Sequence, residues 1–224
     1  MSLASRTVTL EAAGVELEGE LILPEGATGI VVFAHGSGSS RFSTRNRQVA
    51  EYLASQGLAT LLFDLLTPDE NVIDERTREL RFDIPLIGRR MTGAVDWVAQ
   101  AEATRELAIG LFGASTGAAA ALIAAAERPQ AVKAVVSRGG RVDLADEALA
   151  RVVAPTLLLV GGRDHPVINL NEQARERMTA PCELITVHGA THLFEEPGKL
   201  EEVQRLAGLW FLEHLDPQRA TTLL

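Results

Sequence analysis

The sequence predicts an α/β fold in which helices cover both faces of a mainly parallel sheet. Short apolar runs without polar alternation recur along the chain, as in strands that are buried on both faces. Helix-length segments with spaced apolar positions separate these runs. Regular alternation of strand and helix is typical of a doubly wound sheet, whose functional site lies beyond the carboxyl ends of its strands.

The chain opens with a different pattern. Arg6–Ala12 and Val15–Leu23 both alternate polar and apolar residues, and Ala13-Gly14 separates them. This arrangement predicts an antiparallel hairpin. The later buried strands are predicted at Ile30–Ala34, Thr60–Asp64, Ala108–Phe112, Val132–Ser137, Thr156–Val160 and Cys182–Val187. The intervening helices are predicted at Arg45–Gln56, Arg89–Ala101, Thr116–Glu127, Asn169–Met178 and Gly198–Leu215.

One segment interrupts this alternation. Leu65–Gly88 is charged, contains Pro68 and Pro85, and has room for one short helix. It is too short for a separate lid domain, so we predict a modest flap over the site and a shallow, open pocket.

Composition limits the function classes. The chain has 46% hydrophobic and 23% charged residues, which is ordinary for a globular enzyme. A net charge of −9 argues against nucleic-acid binding, which needs a clustered basic surface. The single cysteine, Cys182, excludes an intrachain disulfide and a multi-cysteine metal site. No linker or repeat divides the sequence, so we predict one domain over residues 1–224.

No segment predicts membrane insertion or export. The first residues lack the apolar core of a signal peptide, and Ala118–Ala126, the most apolar helical stretch, is too short to span a bilayer. We therefore expect a cytoplasmic protein, either a monomer or a homodimer.

The strongest motif surrounds Ser115. The sequence Gly113-Ala114-Ser115-Thr116-Gly117 follows a predicted strand and precedes a run of strong helix formers. This is G-x-S-x-G between a strand and a helix, where a tight turn exposes the serine at the positive end of the helix. We interpret Ser115 as a nucleophile, and the alternative is a serine that only caps the helix.

A nucleophilic serine needs a histidine base and an acid that orients it. His192, in the loop after the last predicted strand, is the best candidate for the base, with His188 second and His214 a helix residue. The acid should follow a strand between serine and histidine. We favour Asp164, in the motif Gly161-Gly162-Arg163-Asp164, over Asp143, which precedes a possible helix.

A glycine-rich loop supplies the fourth element. His35-Gly36-Ser37-Gly38-Ser39-Ser40 follows the strand Ile30–Ala34 directly. The amides of Ser37 and Thr116 are our candidates for an oxyanion hole, with Gly38 as the alternative to Ser37. His35 is interpreted as holding the loop through hydrogen bonds. The loop lacks the lysine of a P-loop, which disfavours phosphate binding.

These four motifs, in this order, resemble the α/β-hydrolase superfamily over nearly the whole chain. The short form without a large cap resembles its dienelactone hydrolase-like branch. The resemblance implies a three-layer α/β-hydrolase fold with about eight strands, the second of them antiparallel, and a hydrolase without metal or other cofactor. The namesake enzymes of the branch use cysteine as nucleophile, whereas the elbow here carries Ser115. A serine esterase is therefore the expectation, and dienelactone is not the expected substrate.

The sequence thus predicts a serine hydrolase that cleaves a small carboxylic ester, thioester or lactone through an acyl-enzyme. The alternatives are a non-catalytic binding protein of the same fold, and cofactor-free lyase or haloperoxidase-type chemistry on the same residues. Arg138, which follows a strand end, is our candidate for binding an acidic substrate group, with Arg41 and Arg45 as further possibilities. For each arginine the competing interpretation is an ion pair that serves the structure.

Overall fold

The protein is built around one eight-stranded sheet in the order β1-β2-β4-β3-β5-β6-β7-β8. This is a computed structural model, and it describes residues 4–216. The strands are β1 (Ser5–Ala12), β2 (Val15–Ile22), β3 (Gly29–Ala34), β4 (Ala59–Phe63), β5 (Ala108–Ala114), β6 (Val132–Arg138), β7 (Thr156–Gly161) and β8 (Cys182–Val187). The helices are α1 (Thr44–Ser55), α2 (Pro68–Thr77), α3 (Ile84–Gln100), α4 (Thr116–Glu127), α5 (His165–Arg177) and α6 (Lys199–Leu215).

Strands β3 to β8 are parallel to their neighbours, and β2 is antiparallel to both β1 and β4. The β1–β2 hairpin turns through Ala13 and Gly14, which have φ angles of 51° and 77°. Glycine is suited to such a left-handed backbone, and this explains the sharp break between the two alternating runs. The predicted hairpin and the mainly parallel sheet are both confirmed.

Two hydrophobic clusters fill the space on the two faces of the sheet. In β3 the side chains of Val31 and Phe33 pack on the side of α1 and α6, while Val32 packs on the side of α3, α4 and α5. Nearly every residue of β3 to β7 is buried, because helices cover both faces. The predicted three-layer arrangement is therefore confirmed.

Two helices begin earlier than the sequence pattern indicated. Helix α3 starts at Ile84, where the Asp83 carboxylate accepts a hydrogen bond from the Leu86 amide and Pro85 occupies the first turn. Helix α5 starts at His165, with Pro166 in its first turn. In both cases proline lies within the first turn that the prediction omitted, and its fixed φ suits that position.

The segment Leu65–Gly88 contains more helix than predicted. Helix α2 is followed by a short 3-10 turn, Leu80–Phe82, and by the first residues of α3. Thr67 and Glu70 form a reciprocal capping box at the start of α2. These elements lie beside the loop that follows β3, so the segment borders the site without forming a separate domain.

Candidate active site

Ser115 lies at the turn between β5 and α4 with a φ of 51° and a ψ of −122°. This left-handed backbone is rare for a residue with a side chain, and such strain is concentrated at functional sites. The Ser115 side chain makes no capping hydrogen bond to α4. The helix-cap interpretation of this serine is therefore not supported by its geometry.

Glycine is required on both sides of Ser115 because neighbouring backbone passes very close. A Cβ at Gly113 would lie 2.4 Å from the Cα of Ala118, and one at Gly117 would lie 2.3 Å from the carbonyl oxygen of Ala34. These approaches let α4 pack directly against β3 and β5. The two glycines of G-x-S-x-G thus keep the elbow tight.

Asp164 and His192 are hydrogen bonded to each other. The Oδ2 atom of Asp164 lies 2.6 Å from Nδ1 of His192, although the two residues are on loops after β7 and β8. The Asp164 side chain is 13% exposed and that of His192 is 39% exposed. An acid in this position fixes the imidazole so that Nδ1 carries the proton and Nε2 is free to accept one.

Close backbone packing holds these two loops together. A Cβ at Gly161 would lie 2.5 Å from the carbonyl oxygen of Thr191, and the Arg163 amide donates to the carbonyl of Ala190 over 2.9 Å. The Glu196 carboxylate accepts a hydrogen bond from the Thr191 amide, with both oxygens at 3.1 Å. Glu196, which sequence reasoning missed, therefore fixes the backbone beside His192.

Ser115 and His192 flank the same turn, Arg138-Gly139, at the end of β6. The Ser115 amide donates to the carbonyl of Arg138 over 3.2 Å. On the other side, a Cβ at Gly139 would lie 3.5 Å from both Cε1 and Nδ1 of the His192 ring. No hydrogen bond joins the Ser115 hydroxyl to His192 within residues 4–216. Such bonds are often long in a free enzyme and tighten when substrate binds.

The other residues considered for the acid and the base do not form such a pair. Both carboxylate oxygens of Asp143 bind the guanidinium of Arg141 at 2.9 Å. His214 is bonded through Nδ1 to the carbonyl of Trp210, one turn earlier in α6. His188 is exposed just beyond β8. Asp164 and His192 are the acid and the histidine that lie together.

The loop after β3 is anchored by His35, which is 8% exposed. Its Nδ1 lies 2.9 Å from the carbonyl of Gly36, and its Nε2 accepts a hydrogen bond from the Leu65 amide at 3.1 Å. Nδ1 is therefore the protonated nitrogen. Burial lowers the pKa of His35, outweighing the hydrogen bond to Gly36 and the charge of Asp64, which raise it. A neutral His35 thus connects this loop to the end of β4.

The candidate oxyanion residues, Ser37 and Thr116, both line a small cavity between the loop and α4. Its volume of about 20 Å³ is enough for one water-sized group. Within the described chain, neither amide donates to another backbone group. Gly38, the alternative to Ser37, also borders this cavity.

Arg138 is 6% exposed and makes no ion pair with any residue of the described chain. Its Nη2 donates to Oδ1 of buried Asn46 over 3.2 Å. Burial, together with the charge of nearby Arg45, lowers the pKa of the Arg138 guanidinium to about 10. Arg45 itself pairs with Glu195, and Arg41 pairs with Asp64 and Glu18.

Sequence reasoning also missed an ion pair in the flap segment. Asp74, which is 1% exposed, accepts a hydrogen bond from Nε of Arg81 over 2.6 Å and another from the Arg81 amide over 2.9 Å. Burial alone would raise the pKa of Asp74, but the hydrogen bonds and charge of Arg81 lower it below its usual range. The only sequence signal for this pair was the charge density of the segment.

Neither a candidate metal site nor a helix that could span a membrane occurs within residues 4–216. No group of three or more histidine, cysteine, aspartate or glutamate side chains has a geometry that could hold a metal ion. None of the helices in this part of the chain combines the length and apolar character needed to cross a membrane.

Comparison with known proteins gives the family. The model of the dienelactone hydrolase family matches residues 17–209. A dienelactone hydrolase from Anabaena variabilis has a crystal structure with 56% identity and a TM-score of 0.94, covering 96% of this chain and all of that one. An esterase from Pyrococcus furiosus, 18% identical over 96% of this chain and 92% of that one, has the same fold with a TM-score of 0.75.

Two curated relatives from Mycobacterium tuberculosis strains are 55% identical over 213 residues and carry the provisional name phosphoribosyl transferase. The match covers 95% of this chain but 47% of each relative, so the chain spans about half their length. The Anabaena structure, in contrast, is covered over its full length, and the family model matches residues 17–209 of this chain. The chain belongs to the dienelactone hydrolase family.

Proposed function

We propose that this protein is a serine hydrolase that cleaves a small carboxylic ester through an acyl-enzyme, with Ser115, Asp164 and His192 as its catalytic triad. The 2.6 Å hydrogen bond between Asp164 and His192, on two separate loops, is the observation that carries the proposal. Membership in a hydrolase family and the strained backbone of Ser115 support it.

In the first step Nε2 of His192 accepts the hydroxyl proton of Ser115 while the serine oxygen attacks the ester carbonyl. The amides of Ser37 and Thr116 donate hydrogen bonds to the carbonyl oxygen as it becomes negative. The tetrahedral intermediate expels the alcohol, which takes the proton from His192. Water then repeats the sequence on the acyl-serine and releases the acid. Asp164 stabilises the imidazolium in both halves of the reaction.

The substrate range follows from the same mechanism. Thioesters and lactones react through the same tetrahedral intermediate, so they belong to the proposed class. The partner is a small molecule, and the proposed chemistry needs neither a cofactor nor a metal. Activity is therefore expected to survive treatment with EDTA.

The name of the M. tuberculosis relatives describes proteins about twice this length, and we do not assign that activity to this chain.

The proposal is tested by hydrolysis of p-nitrophenyl acetate. The wild-type protein should release nitrophenol, and Ser115→Ala should lower kcat to the rate of the solution background while keeping the circular dichroism spectrum. Substantial hydrolysis by Ser115→Ala would contradict the assigned nucleophile. A folded wild-type protein with no activity on a range of simple esters and thioesters would favour the non-catalytic alternative.

Arg138 remains a candidate for binding an acidic substrate group, because its buried guanidinium has no carboxylate partner within residues 4–216. Arg138→Ala should then raise KM for a succinate monoester while leaving KM for the neutral butyrate ester of the same alcohol unchanged. Equal changes for both esters would show that Arg138 only supports the contact between β6 and Asn46 of α1.

A further inference from the structure

A cleft of about 650 Å³ adjoins the loop after β3 and separates it from the flap segment. It shares His35, Gly38, Ser39 and Arg81 with the small cavity that Ser37 and Thr116 line. The cleft therefore starts beside the candidate oxyanion amides and extends towards α2. If an ester carbonyl is held by those amides, the cleft has space for either the acyl half or the alcohol half of the substrate.

The side chains that line this cleft are mainly hydroxyl, amide and carboxylate groups. Ser39, Thr44, Asn71 and Glu75 are all exposed. Asn71 makes only a long contact of 3.5 Å to Glu75, so its amide keeps both donor and acceptor capacity for a ligand. Donors and acceptors thus lie side by side on one wall.

Arg81 supplies a further donor at the inner end of the cleft. Its Nε and backbone amide are occupied by Asp74, but Nη1 has no hydrogen-bond partner within residues 4–216. Nη1 lies next to Gly38, where a Cβ would approach it to 2.7 Å. The buried Asp74 therefore holds Arg81 so that a free N–H group lies beside the loop after β3.

The charges of the cleft disfavour an anionic ligand. Asp74 balances Arg81, and Arg41 balances Asp64. The remaining carboxylate, Glu75, would repel an anion, and its oxygens can accept hydrogen bonds from neutral hydroxyl groups. Leu66, Pro68 and Phe42 add apolar surface to the same lining. A ring with several neutral hydroxyl groups and apolar C–H faces matches this mixture.

We infer that this cleft binds the alcohol half of the ester when that half is a neutral, polyhydroxylated group such as a sugar ring. A sugar or another polyol enters an ester through one of its hydroxyl groups and is therefore the alcohol half. For this reason we assign the alcohol half of the substrate to the cleft. This inference rests on the proposed serine hydrolase function and specifies its substrate class.

The test compares two acetates, 6-O-acetylglucose and cyclohexylmethyl acetate, which have the same acyl group and a six-membered ring joined to the ester through one CH2 group. The wild-type protein should hydrolyse the sugar ester with a kcat/KM at least about 10-fold higher, since the ring hydroxyls replace water on the cleft wall. Asn71→Leu should lower this preference by about 5-fold to 10-fold through loss of its hydrogen bonds. The matched control Asn169→Leu, exposed on α5, should leave the preference unchanged.

Equal kcat/KM values for the two acetates, or a preference unaffected by Asn71→Leu, would overturn the inference while leaving the serine hydrolase proposal intact. If neither acetate is hydrolysed, calorimetry with Ser115→Ala decides separately. Saturable binding of 6-O-acetylglucose that weakens in the Ser115→Ala, Asn71→Leu double variant would support the cleft, and absence of binding would reject it.

Discussion

At the scale of single residues, the candidate site depends on a few side chains that backbone geometry places. Ser115 is held in a left-handed conformation, and its hydroxyl is not used to cap α4. Asp164 is more buried than His192, so the acid lies behind the ring and the ring faces outward. This order of burial suits an acid that orients the imidazole towards the half-buried Ser115 and stabilises the imidazolium.

The hydrogen bond from Asp164 predicts a large catalytic effect. Asp164→Asn keeps the size of the side chain but favours the wrong histidine tautomer, so kcat should fall by roughly 10⁴-fold, as in the serine proteases. Asp143→Asn is the matched control, because Asp143 binds Arg141 and makes no hydrogen bond to His192 within residues 4–216. Steady-state kinetics on one ester will measure both variants. A larger loss in Asp143→Asn would mean that the acid has been misassigned.

At the scale of elements, loops that follow the strands deliver the functional groups. The loop after β3 is attached to the end of β4 by His35, and the loops after β7 and β8 pack through Gly161. The loop after β3 also borders the flap segment, where Gly38 lies close to Arg81. Each functional group thus lies on a short connection between rigid elements.

The buried His35 predicts a loss of stability in mild acid. Because burial lowers its pKa from 6.5 in the folded protein, the unfolded chain binds the proton more readily. The free energy of unfolding should therefore be unaffected by protonation of His35 well above pH 6.5. It should decline as the pH falls below that value, by at most about 1.4 kcal/mol per pH unit. Urea unfolding at pH 7.5 and pH 5.5 will measure this decline. In His35→Gln the difference between the two pH values should be smaller, and an unchanged difference would show that His35 does not cause it.

Sequence patterns predicted the strands more accurately than the regions around proline. Helix α4 was predicted at its observed bounds because an alanine-rich run has few alternatives, and the bounds of β8 were also correct. Strand β8 was expected to be buried on both faces, but it lies at the edge of the sheet and only Val187 is buried. The first turns of α3 and α5, which contain Pro85 and Pro166, were missed because the predicted helices began only at Arg89 and Asn169. The bond between Asp164 and His192 was expected from the order of motifs, but the ion pair of Asp74 with Arg81 was not. The ion pair between Asp74 and Arg81 joins two parts of a charged segment, and the spacing of these two residues matches no known motif.

At the scale of the whole molecule, a single sheet carries the candidate site on its carboxyl edge. Both hydrophobic clusters extend along this sheet, and no second sheet occurs within residues 4–216. The prediction of one domain over residues 1–224 stays a prediction. The prediction of a cytoplasmic monomer or homodimer likewise remains to be tested.

The central claim, that Ser115 is the one activated serine of the chain, is tested most directly by reaction of the intact protein with a fluorophosphonate. An activated serine attacks phosphorus as it attacks an ester carbonyl, whereas ordinary serines do not react. Intact-mass measurement should show a single adduct, and peptide mapping should place it on Ser115. Ser115→Ala should remain unlabelled, and Asp164→Asn should react far more slowly. No adduct on the folded wild-type protein, or an adduct on another residue that persists in Ser115→Ala, would contradict the account.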